Sequence, residues 1–80
     1  MNLYVFEDVL EDYTSGMAMI AEHTLEDAQA IAFEQFGHHQ RDNTLEEFLR
    51  NQEGFRVPTG VYPLANNVKP GVLHFVYGGG

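Results

Sequence analysis

Two runs of this chain place apolar side chains on both faces of an extended backbone. Leu3-Tyr4-Val5-Phe6 lies near the start, and Val72-Leu73-His74-Phe75-Val76-Tyr77 lies near the end. A strand that is apolar on both sides belongs in the middle of a sheet, so the pattern predicts these two strands as central neighbours. Met17-Ala18-Met19-Ile20-Ala21 reads as a further strand. Between it and the first lies the turn-rich Glu11-Asp12-Tyr13-Thr14-Ser15-Gly16, with Gly16 suited to positive φ. The two strands therefore form a hairpin with an acidic tip.

The period then changes. Leu25, Ala28, Ile31, Ala32 and Phe36 share one face of a helix that Thr24 opens as a capping residue, with Asp27 three positions on and Gly37 as the terminator. Thr44-Leu45-Glu46-Glu47 begins a second, shorter helix through Phe48, Leu49 and Arg50. Pro58 and Pro63 confine Phe55 to Leu64 to an edge strand or a loop. The expected fold is a single α+β domain spanning residues 1–80. It has two layers: a mixed sheet of three to four strands and one main helix, in the order β-β-α-α-β-β. Its core is expected to draw mostly on Leu3, Val5, Ile20, Leu25, Ala28, Ile31, Ala32, Phe36, Phe48, Leu49, Val72 and Phe75.

Charge changes the picture more than composition does. A hydrophobic content of 44% suits a globular fold. At 80 residues, however, the core is small. The net charge of −8 arises wholly in residues 1–40, which hold Glu7, Asp8, Glu11, Asp12, Glu22, Glu26, Asp27 and Glu34 and no Lys or Arg. Beyond residue 40, Asp42, Glu46, Glu47 and Glu53 are balanced by Arg41, Arg50, Arg56 and Lys69. A field polarised in this way selects a basic protein surface as partner and disfavours nucleic acid and anionic lipid.

The candidate partner-binding residues are therefore Glu7, Asp8, Glu11 and Asp12, with Tyr13 and Met17 as the apolar contribution that charge alone lacks. The plainer reading of the same cluster is a solvated, solubilising loop. Catalytic chemistry has no foothold. Ser15 is the single serine, there is no cysteine, and the glycines form no phosphate-binding loop. The acids lack the spacing of an EF-hand loop. His23, His38, His39 and His74 are too scattered to suggest a zinc set. No cofactor or metal is expected. Without cysteines, a basic-then-apolar leader or an apolar run of roughly 20 residues, the chain is expected to be cytoplasmic, with no membrane partner, as a monomer or small homo-oligomer.

Three segments carry a resemblance over most of the length. They are Leu3-Tyr4-Val5-Phe6-Glu7-Asp8-Val9-Leu10, Asp12-Tyr13-Thr14-Ser15-Gly16-Met17 and Phe75-Val76-Tyr77-Gly78-Gly79-Gly80. Together they resemble small acidic phage-encoded proteins, a group of the size and charge of anti-CRISPR inhibitors, several of which mimic DNA or block a DNA-binding channel. The resemblance implies a CRISPR-associated effector complex as partner, in the host cytoplasm. A second resemblance rests on the early hairpin, the helix after Thr24 and Leu73-His74-Phe75-Val76 followed by glycines. It is similar to ubiquitin-like modifiers and sulfur carriers of the β-grasp fold, and it implies covalent attachment at Gly79 and Gly80.

Overall fold

A computed structural model describes residues 1–12, 14–37 and 41–78, the Asp12 side chain excepted. Four strands and two helices follow one another: β1 (Asn2–Asp12), β2 (Thr14–Glu22), α1 (Leu25–Phe36), α2 (Leu45–Asn51), β3 (Gly60–Pro63) and β4 (Gly71–Val76). A 3-10 turn, Glu53–Phe55, stands between α2 and β3, where the expected order had none. The sheet order is β3-β1-β2-β4. Every pairing is antiparallel, so the sheet is not mixed.

Both helices cap as their threonines predict. The Thr24 hydroxyl accepts the Asp27 N–H at 3.1 Å, and the Thr44 hydroxyl accepts the Glu47 N–H at 3.1 Å. Glu47 reaches back as well, accepting from the Asn43 N–H at 3.3 Å. Gly37 ends α1 with φ −63°, still right-handed, so its place does not depend on the left-handed freedom of glycine. Thr24→Ala is expected to cost about 1 kcal/mol, read as a lower urea midpoint at unchanged slope.

The two doubly apolar strands are not neighbours. β1 is central, between β2 and β3, whereas β4 is an edge strand paired only with β2. Its two apolar faces have a different cause. One face packs toward α1, where the Phe75 and Phe36 rings meet edge-on at 5.2 Å. The other face is left open, with Val76 47% exposed. β3 is an edge strand, short and closed by Pro63, as its prolines require.

The core also differs from expectation. In β1 the inward positions are Tyr4 and Phe6, and Leu3 and Val5 face away from the helices. A run apolar at every position does not encode which parity faces inward. Asp8 (φ 57°) and Leu10 (φ 53°) then adopt left-handed backbone at two register shifts. The first bulge resets the alternation, and Val9 and Leu10 both become fully buried.

Of the remaining expected core residues, Ile20, Ala28, Ala32, Phe36 and Phe48 are buried. Leu25, Ile31, Leu49 and Val72 are partly buried against them. Phe75 sits at the margin, 39% exposed. At the centre stands Phe55, a position assigned to no core face by its sequence context. Its ring lies 5.1 Å from Phe6, 5.2 Å from Phe48 and 6.0 Å from Phe36. The Gln29 side-chain amide donates to the carbonyls of Phe55 and Arg56, each at 3.1 Å, and so ties the turn to α1.

Candidate functional site

The acidic hairpin forms one end of the sheet. Its strands extend further than expected, to Asp12 and from Thr14, so Glu11 belongs to a strand end rather than a loop. Glu7, Asp8 and Glu11 are all exposed. The Asp12 side chain and Tyr13 lie outside the described residues, as do His38, His39, Gly79 and Gly80.

The bulge at Asp8 divides the acids between two sides. Glu7 is the cross-strand partner of Met17, and Met17 is that of Val76, so these three form one row on the helix-free face. Glu7, Asp8, Ser15, Gly16, Met17 and Val76 line a groove of about 380 Å³ there. Asp8 and Glu11 border a second, larger cleft of about 650 Å³, whose other wall is Arg50-Asn51-Gln52-Glu53-Gly54. Sequence spacing gives no sign of Glu53, Arg50 or Val76, which lie far along the chain from the hairpin. They are brought in by the end of α2, the 3-10 turn after it and β4.

Two close approaches hold that arrangement. The Gln52 side-chain carbonyl accepts the Leu10 N–H at 3.4 Å. Gly54 presses its backbone on the bulge: a Cβ there would stand 2.6 Å from Val9 Cγ1 and 2.7 Å from the Asp8 carbonyl oxygen. Arg56 is occupied locally, its Nε donating to the Leu49 carbonyl at 2.7 Å.

The chain beyond β4 crosses the hairpin. The Gly78 N–H donates to the Leu10 carbonyl at 2.9 Å, and Gly78 is buried. A Cβ on Gly16 would fall onto the Val76 carbonyl oxygen, and one on Gly78 onto the Thr14 carbonyl oxygen. Gly16 thus serves a backbone crossing, not the positive φ its turn-rich neighbourhood suggested; among the described glycines only Gly71 has positive φ.

Among the described residues no three His, Asp or Glu side chains converge well enough to hold a metal ion. His23 and His74 are exposed. No helix of the described residues is long and apolar enough to cross a membrane. Asp42 is buried; its Oδ1 accepts from the Asn51 amide at 2.7 Å, while its Oδ2 has no partner among the described residues. Comparison with protein families, curated proteins and solved structures finds no match to this chain.

Proposed function

We propose that the protein is a non-enzymatic interaction module that binds a basic, nucleic-acid-binding surface of another protein. The concrete form we favour is an inhibitor of the anti-CRISPR type, acting in the host cytoplasm on a CRISPR-associated effector complex. One observation carries the reading: forty consecutive residues with eight acids and no Lys or Arg, whose Glu7, Asp8 and Glu11 stand exposed together at one end of the sheet. Carboxylates so placed meet Lys and Arg where phosphates would otherwise lie, and they steer encounter over a Debye length of about 8 Å at physiological salt.

The test is affinity capture of host proteins, identified by mass spectrometry, with two charge-reversed variants beside the parent chain. Reversal of Glu7, Asp8, Glu11 and Asp12 to Lys is expected to abolish capture, and rising salt is expected to weaken it. Reversal of Glu46 and Glu53, the exposed acids beyond residue 40, is expected to cost less per charge. Equal losses per charge from both sets would remove the hairpin from the account.

A further inference from the structure

The helices cover one face of the sheet only. On the other face the register builds three rows across the strands. Tyr62, Leu3 and Ala21 make the first, and Gly60, Val5, Met19 and His74 the second. The third is Glu7, Met17 and Val76. The Tyr62 ring lies over Gly60, where a Cβ would come within 2.7 Å of it. Tyr62 is 55% exposed and Val76 47%, while Leu3, Val5, Met17 and Met19 are half-buried. Ala21 is fully buried, so the open part of this face is the strip from Leu3 and Val5 to Met17 and Val76, which is apolar and rich in adaptable methionine.

Charge decides what fits it. The apolar rows end on Glu7, and the groove that joins Glu7 and Asp8 to Met17 and Val76 has carboxylates at one end and aliphatic walls at the other. That is the form of a site for a long cationic side chain, its stem on Met17 and Val76 and its head at the carboxylates. A second copy of this chain docked through the same face offers no such group, because none of its four Lys and Arg residues lies on a strand. It would instead bring a second Glu7 and eight more net negative charges.

We infer that the helix-free face of the sheet is the surface that engages the partner. Its occupant is a segment of a basic protein that sets apolar side chains on the rows of Leu3 and Val5 and a Lys or Arg between Glu7 and Met17. The inference rests on the proposed function and names the surface through which it acts.

The experiment is an NMR titration of the full chain, with its backbone amides and its methionine, leucine and valine methyls labelled, against a synthetic peptide of alternating lysine and leucine. The same peptide with glutamate for lysine is the control. The lysine peptide is expected to shift Leu3, Val5, Met17 and Met19 saturably, and the glutamate peptide to leave them unmoved. Tyr62→Ser and Val76→Ser, both at exposed positions, are each expected to weaken binding about fivefold or more with an unchanged circular dichroism spectrum. Shifts centred on α1 and α2, or equal binding of the two peptides, overturn the inference. So does a dimer of the protein alone that Val76→Ser dissociates, which would give the face to a second copy. Loss of host-protein capture on hairpin charge reversal, with no peptide shift on this face, would refute the face and leave the hairpin reading intact.

Discussion

Phe55→Ala is expected to destabilise the protein by about 3–5 kcal/mol, the range for removing a fully buried aromatic ring. Phe55 has no measurable exposure and touches the rings of Phe6, Phe36 and Phe48. It is therefore the point where the sheet, α1 and α2 meet. The 3-10 turn that carries it is pinned by the Gln29 amide and by the contact of Gly54 with the bulge, so the surroundings collapse poorly onto the space it leaves. A domain of this size has a total stability of only about 5–15 kcal/mol. The variant should accordingly lose a large share of its fold at 37 °C. Urea unfolding measures it as a fall in midpoint at constant slope. A loss below about 1 kcal/mol would mean that the aromatic cluster is not the centre of the core.

Gly16→Ala carries the second large effect. An added methyl on β2 would meet the Val76 carbonyl oxygen, with the Gly78 nitrogen at 2.8 Å and the Val9 carbonyl oxygen at 2.9 Å. All three are backbone atoms, so β4 and the chain beyond it must lift off the hairpin. The expected cost is about 3 kcal/mol, at the upper end for overpacking. Gly60→Ala is the matched control. Its methyl meets only the outer ring atoms of Tyr62, which can turn aside, and alanine relieves some of the entropic cost of glycine in a strand. A change within about 0.5 kcal/mol is expected there. Thermal unfolding of the two variants side by side compares them, and equal losses would contradict the crossing at Gly16.

These two residues mark the limit of what the chain's pattern discloses. Local signals were legible: the Thr24 and Thr44 caps, the helical face from Ala28 to Phe36, and the confinement of β3 by Pro63 depend on neighbours within a few positions. The parity of β1 was not. Leu3-Tyr4-Val5-Phe6 offers two apolar faces, and only the docking of α1 and Phe55 selects Tyr4 and Phe6. Nor was the bulge at Asp8 legible, because its left-handed backbone falls on a residue that serves equally well in a turn. For β4, apolar content predicts a central position, but an edge strand with one uncovered face has the same composition. The candidate site divides in the same way. Its acids are visible as a cluster in sequence, whereas Val76, Arg50 and Glu53 join it only through tertiary structure.

The proposal that these acids occupy a nucleic-acid-binding surface has a direct test. A host protein captured by the parent chain, but not by the variant with Lys at positions 7, 8, 11 and 12, is titrated with double-stranded DNA or with RNA while bound. The account predicts mutual exclusion: nucleic acid displaces this protein, and this protein displaces nucleic acid, with competition constants that match the two separate affinities. A partner that holds nucleic acid and this chain at once, with neither affinity changed, would contradict it.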